Sequence, residues 1–447
     1  MIIKNYKNSI LIAVLIICAL CAFPMANKKI DKNSLQININ ATAKTPLWNC
    51  TWDASEGLDI GRRVAIDSSD NIYVVGRTET LDNKLDALLI KYNIAGTQIW
   101  NVTFDLYDFD SGYGITIDSL DNIYIVGSSN HISPFNASLF CAKFNANGEL
   151  IWNVTGSGYA EGYGTAVDSF DNVYVMGRLS SNGWDVYLIK YSSTGVKLWE
   201  TNWGGSESEI GWGVVVDSSD NLYITGSTDI DPTLDHNLQA FLAKYNTAGQ
   251  QIWNTTWGYQ DMDQGFEVKT DSLGYIYVVG YSDFNFTETG ENLQLTLTKF
   301  DSTGNQLWNL NWGDIEEDIG IGLCIDSSDD IYVTGYTDIN FSLSGYDYQA
   351  CLFKYDWNGN KLWETIWGGG NNEIGYGVTT DSLDNIYVVG AIDLNDTAAY
   401  NYGVFLAMFP KDESVPGDSW LILIIILSLI GCVSVIGITI FIKRRRY

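Results

Sequence analysis

Hydrophobic and polar residues alternate along the chain with the period of a β-strand from about residue 47 to residue 409. Short turns rich in Ser, Asp, Asn and Gly separate the apolar runs. No stretch of this body has a helical period, so the pattern predicts an all-β domain. In the first complete repeat the pattern predicts strands A to D at 64–67, 71–76, 86–92 and 98–104.

Three short signatures recur along the body. They are Asp-Ser-x-x-x-x-Tyr-x-x-Gly at the link between strands A and B, a Lys-aromatic pair at the end of strand C, and a Leu/Ile-Trp pair in strand D. The spacing is 47 to 55 residues, which with four strands per repeat is typical of a β-propeller. The first signature begins at Asp67, Asp118, Asp168, Asp217, Asp271, Asp326 and Asp381.

The phase of the repeat predicts how the ring closes. The first signature in the chain is Trp48, in a strand D that no strand A, B or C precedes. The last repeat has strands A, B and C but no D. The segment 47–52 can supply the missing strand, which would leave no open sheet edge. We therefore expect a seven-bladed β-propeller over 47–409, closed by an N-terminal strand.

One repeat carries a family resemblance. It contains Trp203-Gly204-Gly205, then Val216-Asp217-Ser218-Ser219-Asp220-Asn221, then Ala243-Lys244-Tyr245. This string resembles the β-propeller repeat called SBBP, which is common in surface and secreted proteins of bacteria and archaea. The resemblance covers about 47–409 and implies the fold, but it assigns no activity, because propellers host many functions.

Both ends of the chain have the pattern of targeting segments. Two lysines precede a short apolar run, which predicts a signal peptide at 1–26 and a linker at 27–46. A second linker at 410–419 leads to an apolar stretch at 420–442, long enough for a transmembrane helix. The basic tail at 443–447 places the C-terminus in the cytoplasm and the propeller on the extracellular side of the cell membrane.

Charge limits the classes of partner. The chain has a formal net charge of −29, and residues 47–419 hold 53 acidic but only 15 basic side chains. A phosphate backbone would be repelled, so nucleic-acid binding is excluded. Only two histidines are present, which leaves little for histidine-based metal or acid–base chemistry.

Two sets of side chains are expected at one end of the propeller channel, on the face that carries the long B–C loops. The acids stand about eight residues before each signature Asp and suggest a cation or polyol site; alternatively each accepts backbone N–H bonds in its own blade. The aromatic residues follow at a fixed spacing and could stack on sugars or wedge between blades. The candidate ligand-binding residues are Asp59, Asp110, Glu161, Glu209, Asp263, Asp318, Glu373, Tyr113, Tyr163, Trp212, Phe266 and Tyr376.

No cofactor is expected from the motifs. The Asp-Ser-x-Asp-Asn turns offer oxygens to calcium but lack the bidentate Glu of an EF-hand loop, so a hydrogen-bonded turn is the other interpretation. The Gly-x-Gly pairs enter strands, which argues against a dinucleotide site. Export would expose N-glycosylation sequons at Asn40, Asn49, Asn101, Asn136, Asn153, Asn254, Asn285, Asn340 and Asn395.

Together these features predict an exported, membrane-anchored propeller with a monomeric ectodomain. We expect a non-catalytic module for ligand binding, adhesion or the cell envelope, with a glycan or a protein as its partner. The alternative is an extracellular enzyme that acts on polysaccharide or protein through the carboxylates at the channel mouth. A pair of acids with raised pKa on that face would favour the enzyme.

Overall fold

The described part of the chain is entirely β-structure. It contains 28 strands and no helix, and within it no helix that could cross a membrane is found. The expected signal peptide, transmembrane helix and basic tail lie outside the described residues. In this computed structural model the described residues are 44–411, apart from 55–56, 83, 131–136, 157, 181–182, 206–207, 231–237, 260–261, 284–291, 314–316, 339–347, 369–371 and 395–400.

The strands fall into seven repeat units; the first six have strands A, B, C and D in chain order, and the seventh has A, B and C. An N-terminal strand, β1 (Trp48–Trp52), comes first. Repeat 1 is β2 (Ile60–Ile66), β3 (Ile72–Glu79), β4 (Leu85–Tyr92) and β5 (Gln98–Phe104); repeat 2 is β6 (Phe109–Ile117), β7 (Ile123–Asn130), β8 (Ala137–Phe144) and β9 (Leu150–Thr155); repeat 3 is β10 (Ala160–Val167), β11 (Val173–Ser180), β12 (Trp184–Tyr191) and β13 (Lys197–Trp203).

The later repeats have the same plan. Repeat 7 has only three strands of its own. Repeat 4 is β14 (Glu209–Val216), β15 (Leu222–Asp229), β16 (Leu238–Tyr245) and β17 (Gln251–Trp257); repeat 5 is β18 (Asp263–Thr270), β19 (Ile276–Asp283), β20 (Leu293–Phe300) and β21 (Gln306–Trp312); repeat 6 is β22 (Asp318–Ile325), β23 (Ile331–Asp338), β24 (Tyr348–Tyr355) and β25 (Lys361–Trp367); repeat 7 is β26 (Glu373–Thr380), β27 (Ile386–Asp393) and β28 (Tyr402–Phe409).

Each repeat is an antiparallel meander. Repeats 3 to 6 form separate four-stranded sheets, while one parallel pair, Leu85 with Phe109, joins repeats 1 and 2 into an eight-stranded sheet. In repeat 7 the order is β1-β28-β27-β26. The N-terminal strand pairs antiparallel with β28, from Trp48 opposite Met408 to Trp52 opposite Val404.

The signature residues form one buried network in each repeat. In repeat 1 the Tyr73 side chain is fully buried, and its hydroxyl donates to Asp67 at 3.0 Å. Asp67 also forms an ion pair at 3.6 Å with Lys91, whose ammonium lies 4.8 Å from the centre of the Tyr73 ring. Trp100 packs edge-on against Tyr73 at 5.9 Å between ring centres. The repeated signature is therefore explained by packing within and between sheets, without any ligand.

Neighbouring repeats are also joined by a contact between A–B turns, which we call the clasp. The Ser68 backbone N–H and hydroxyl donate to the two carboxylate oxygens of Asp121 in the next repeat, at 2.9 and 2.7 Å. Asp121 has a left-handed backbone, with φ of 60°. The same contact is present at Ser68–Asp121, Ser119–Asp171, Ser169–Asp220, Ser272–Asp329, Ser327–Asp384 and Ser382–Asp70.

The prediction of an all-β fold is confirmed. Strand D of repeat 1, predicted at 98–104, has those bounds in the structure, whereas strand A begins at Ile60, four residues earlier than predicted. Strand B also continues beyond the signature glycine, to Glu79. The extra residues at these strand ends pair with each other and surround the candidate site.

Candidate functional site

A β-bulge near the start of each strand A presents one side chain per repeat to a common cavity. The motif is Gly-x-Gly or a variant of it, and the register shifts at x: in repeat 2, Gly112 pairs with Gly127 and Gly114 pairs with Val126, which leaves Tyr113 unpaired. A bulge bends the strand and turns the unpaired side chain away from the ladder. The seven bulged residues are Arg62, Tyr113, Tyr163, Trp212, Phe266, Ile321 and Tyr376.

These seven side chains line a cavity of about 270 Å³. The five aromatic ones, which we call the aromatic belt, are Tyr113, Tyr163, Trp212, Phe266 and Tyr376. Successive rings touch: the centres of Tyr163 and Trp212 are 4.3 Å apart, and those of Trp212 and Phe266 are 5.5 Å apart. Ile319, Ile374 and Tyr336 complete an apolar wall. The structure therefore brings together all five candidate aromatic residues.

Arg62 occupies the belt position of repeat 1. Its guanidinium carbon lies 4.6 Å from the Tyr113 ring centre and 5.7 Å from that of Tyr376. Its Nε is buried without a hydrogen-bond partner. The cavity thus has a cation between two tyrosine faces, an arrangement that the ring quadrupoles favour.

An ion pair lies next to the belt. Arg63 of repeat 1 and Glu267 of repeat 5 approach to 3.2 Å, and Lys269 contacts the other oxygen of Glu267 at 2.8 Å. Arg63 also donates to the backbone carbonyl of Tyr376 in repeat 7 at 2.6 Å. Burial lowers the pKa of Arg63, and Glu267 raises it again. We call Arg63 and Glu267 the floor pair; with Tyr163 and Trp212 they also line a second, smaller space of about 60 Å³.

The floor pair stands where other repeats have glycine. A Cβ on Gly164 would lie 2.6 Å from the carbonyl oxygen of Trp212, so at this point neighbouring strands A approach too closely for a side chain. The second glycine of the Gly-x-Gly motif is replaced only at Arg63 and at Glu267. The two replacements have opposite charges and form an ion pair with each other. The charge of each one is therefore balanced by the other.

The seven candidate acids lie at or next to the first residues of the strands A, and none of them lines the cavity. Asp110 is fully buried and accepts from the backbone N–H groups of Leu106 and Tyr107 at 2.6 and 3.0 Å. Asp59, Glu209 and Asp263 accept backbone N–H bonds in the same way, and Asp318 and Glu373 are buried too. For Asp59, Asp110, Glu209 and Asp263 this is the geometry of the structural alternative, in which the carboxylate accepts backbone N–H bonds from its own D–A link.

Burial changes the titration of three of these acids. Desolvation raises the pKa of Asp59 to about 6, and the neighbouring Asp53 adds to the rise. Desolvation also raises the pKa of Asp110 and of Glu209, although both carboxylates accept hydrogen bonds that act in the opposite direction. Acids with a raised pKa are therefore present on this face, but their carboxylates already accept hydrogen bonds from backbone N–H groups.

Glu161 differs from the other six acids. It lies opposite Arg178 in the pairing of β10 with β11, and two nitrogens of Arg178 contact it at 2.9 and 2.7 Å. The Tyr163 hydroxyl also donates to Glu161. The acid of repeat 3 thus braces a member of the aromatic belt instead of a D–A link.

Other oxygen-rich places were considered for calcium. In the A–B turns the carboxylate of Asp67 accepts from the backbone N–H groups of Ser69 and Asn71, which agrees with a hydrogen-bonded turn. Carboxylate oxygens of Asp86, Asp105 and Asp110 lie within 4.8 Å of one another, at the link between repeats 1 and 2. Calcium binding at the A–B turns stays a prediction.

Comparisons with known proteins identify the repeat. The family model described as the SBBP beta-propeller repeat matches residues 52–80 and 108–136. This chain contains SBBP propeller repeats. Both matches cover strands A and B of a repeat, including the bulge and the signature Asp. A WD repeat-containing protein of Acanthamoeba polyphaga mimivirus is 27% identical over 376 residues, which cover 78% of this chain and 25% of the relative. The chain spans about a quarter of the length of that curated relative.

Solved structures with the same fold include lyases. The polysaccharide lyase Uly1 has a TM-score of 0.52 at 8% identity and covers 86% of this chain and 96% of its own. A PL25 ulvan lyase, solved with a GlcA(1-4)Rha3S saccharide, has a TM-score of 0.51 at 10% identity. The match covers 81% of this chain and 96% of the lyase. Virginiamycin B lyase from Staphylococcus aureus has a TM-score of 0.50 at 9% identity. The match covers 80% of this chain and 98% of that lyase. At such identities the likeness is one of fold alone.

The floor pair is the part of the site that sequence reasoning missed. The signal was present, because Gly61-Arg62-Arg63 and Gly265-Phe266-Glu267 break a motif that the other five repeats keep. What the motif could not show is that positions 63 and 267, from repeats 1 and 5, face each other. That requires the arrangement of the repeats in space.

Proposed function

We propose that this chain is a seven-bladed propeller, closed by its N-terminal strand, that binds a saccharide in the cavity of the aromatic belt. Ring closure is supported by the pairing of β1 with β28 and by the Ser382–Asp70 clasp between repeats 7 and 1. The contact of Arg63 with the Tyr376 carbonyl joins the same two repeats. In this arrangement the cavity is one mouth of the central channel, and the floor pair blocks the channel beneath it.

The observation that carries the proposal is the belt itself. Five aromatic rings converge on one cavity because seven bulges point into it, and pyranose rings bind proteins by stacking their C–H faces on such rings. The volume of about 270 Å³ lies just below the range usual for small-molecule sites, roughly 300 to 1,000 Å³. It suits one ring of a longer saccharide, with the rest of the chain lying outside.

The proposal extends to location and modification. The end segments described under Sequence analysis support an exported propeller anchored in the cell membrane by one C-terminal helix. Four sequons stand on outer strands D with exposed Asn side chains, where a transferase could reach them, namely Asn49, Asn101, Asn153 and Asn254. A binding or adhesion module of the cell envelope fits this placement.

A glycan array tests the binding function, with a variant that removes stacking but keeps apolar bulk. The purified protein is expected to retain one class of saccharide, and Trp212→Leu with Tyr376→Leu should lose it while the thermal midpoint stays within a few degrees. The matched control is Trp357→Leu, because Trp357 is an exposed aromatic residue in a C–D turn. Equal retention by the wild type and the double variant would contradict the proposal.

A second candidate is an enzyme that uses acids of this face. One observation favours it: desolvation raises the pKa of Asp59 to about 6, where a carboxyl can act as a general acid. Desolvation also raises the pKa of Asp110. Cleavage assays on the saccharides retained by the array would test it. New chain ends from the wild type but not from Asp59→Asn or Asp110→Asn would establish the enzyme.

A further inference from the structure

Two arginines of repeat 1 lie near the belt. Besides Arg62, Arg77 of strand β3 lies within electrostatic reach of Arg62, Tyr113 and Tyr376. Its Nε is buried without a hydrogen-bond partner. No salt bridge of either arginine is present among the described residues. Desolvation lowers the pKa of Arg77, the charge of Arg62 lowers it further, and the charge of Glu79 acts in the opposite direction. Two guanidinium groups thus lie within electrostatic reach of each other, and one of them, Arg62, lines the cavity.

The protein provides an internal comparison for Arg77. In repeat 3 the same position of strand B is Arg178, which lies opposite Glu161 and pairs with it at 2.7 Å. In repeat 1, Arg77 lies opposite Ile60. The repeat scaffold can therefore supply an acid to an arginine at this position, and in repeat 1 it does not. A buried donor without a partner destabilises a fold, and the Nε of Arg77 is such a donor although the side chain as a whole is only half-buried. It is therefore available to a partner from outside.

We propose that the saccharide bound in the cavity is acidic, and that Arg62 and Arg77 bind the carboxylate of a uronate unit whose ring stacks on the aromatic belt. This inference rests on the proposed function and names its ligand class. A planar guanidinium fork matches a carboxylate with two parallel hydrogen bonds. The apolar wall formed by Ile319, Ile374 and Trp212 would accept the ring face and exclude water from that ion pair, which strengthens it.

The acidic surface of the rest of the molecule limits how much negative charge the ligand can carry. Residues 47–419 carry 53 acidic and 15 basic side chains, so a densely charged polyanion would be repelled at every point except this cavity. The exterior therefore selects saccharides in which acidic units alternate with neutral ones. A carboxylate, rather than a nucleotide phosphate or a heparin-like chain, is the anion that fits.

The test compares acids with their neutral esters on the same ring. Disaccharides that contain galacturonate, glucuronate or mannuronate, each with its methyl ester, are titrated by calorimetry into the wild type, Arg62→Gln, Arg77→Gln and Ile60→Glu. The Ile60→Glu variant places an acid opposite Arg77, as Glu161 lies opposite Arg178 in repeat 3. Lys197→Gln is the control, because it removes one exposed positive charge from the outer strand β13.

At least one acid is expected to bind the wild type about ten- to a hundredfold more tightly than its ester, the usual effect of a charge-assisted hydrogen bond. In Arg77→Gln and Ile60→Glu that ratio should fall to about one, and in Lys197→Gln it should not change. Added salt should weaken binding of the acid but not of the ester.

Equal affinity for every acid and its ester would overturn the carboxylate assignment while leaving saccharide binding intact. Binding of a galactose 6-sulfate disaccharide, with none of the uronates bound, would also overturn it. Failure of all acids and all esters to bind would overturn the uronate assignment, and the proposed function would fall with it only if the glycan array retained no other saccharide. A carboxylate preference that persists in both Arg77→Gln and Ile60→Glu would exclude Arg77 from the site.

Discussion

At the scale of single residues, charge placed on a repeated apolar scaffold distinguishes one repeat from the next. The floor pair replaces two glycines of an otherwise regular motif and joins repeats 1 and 5 by a contact of 3.2 Å. In the part of the chain that the structure describes, the arginines at 62 and 77 form no such ion pair. These few positions, rather than the signature residues, give the molecule its individual site.

Removing one member of the floor pair should cost more than removing both. Arg63→Gly leaves Glu267 with Lys269 alone, and we expect a loss of about 1 to 3 kcal/mol in the free energy of unfolding, because an unpaired buried charge is unfavourable. The double variant Arg63→Gly, Glu267→Gly restores the motif of the other repeats. Chemical denaturation of the two single variants and the double variant would show a double-mutant loss well below the sum; additive losses would mean that the pair is not coupled.

Asp59 should make stability depend on pH in an unusual direction for an acid. Its pKa is raised by burial to about 6 in the folded protein, against about 3.9 in an unfolded chain. The folded state therefore binds this proton more tightly, and the resulting stability is present below pH 4 and is lost as the pH rises through 6. Asp59→Asn imitates the protonated form.

We expect Asp59→Asn to raise the thermal midpoint at pH 7.5, by an amount that corresponds to no more than about 3 kcal/mol. The gain should vanish at pH 4, where the wild-type carboxyl is itself protonated. Thermal scans of both proteins at the two pH values measure this. A variant that is less stable than the wild type at pH 7.5 would show that Asp59 is needed as an anion.

At the scale of strands and turns, the clasp explains a polar signature that patterning alone had assigned only to a local turn. The serine after each signature Asp bonds to the neighbouring repeat, and the left-handed Asp that receives it is missing in repeat 5. There the position is Gly274, with φ of +81° and no atom within 4 Å of an added Cβ. Ser218 of repeat 4 thus has the sequence of a clasp donor without the matching acceptor.

Gly274→Asp should install the missing clasp. The aspartate would adopt the backbone conformation of the other six and accept two hydrogen bonds from Ser218, each worth about 1 to 3 kcal/mol to a charged group. The cost of a left-handed non-glycine residue is about 1 to 2 kcal/mol, so we expect a net gain of about 1 kcal/mol. The gain should disappear in Ser218→Ala, Gly274→Asp; a gain that survives this second change would have another origin.

The strands could be predicted more completely than the site, for a physical reason. Alternation and turn chemistry are local, so strand D at Gln98–Phe104 could be read with its bounds. The bulges could not, because a register shift such as the one at Tyr113 depends on two strands at once. The acids were found at their spacing, but only the folded D–A links reveal that Asp110 accepts two N–H bonds.

At the scale of the whole molecule, the proposed ring depends on a strand from the other end of the chain. The strand β1 supplies the outer edge of repeat 7, and Trp48 packs 6.0 Å from Tyr387 and contacts Gly96 of repeat 1. Removal of residues up to Trp52 would expose β28 as an edge and lose the burial of two tryptophans, a few kcal/mol in all.

A chain that begins at Ser55 should therefore unfold at a clearly lower temperature than one that begins at Lys44. Circular dichroism on both proteins measures the difference. A chain with Trp48→Ala and Trp52→Ala should fall between them, because it keeps the backbone pairing with β28 but loses the side-chain packing. An unchanged midpoint for the shorter chain would mean that the N-terminal strand does not close the ring.

The most direct test of the central claim is a crystal structure of the propeller with a saccharide from the array. We expect one sugar ring in the cavity, stacked on Trp212 and Tyr163, with the floor pair beneath it. Its carboxylate, where it has one, should lie at Arg62 and Arg77. A saccharide held instead by the opposite turns, near Ser219 or Gly249, with the aromatic belt empty, would contradict the account.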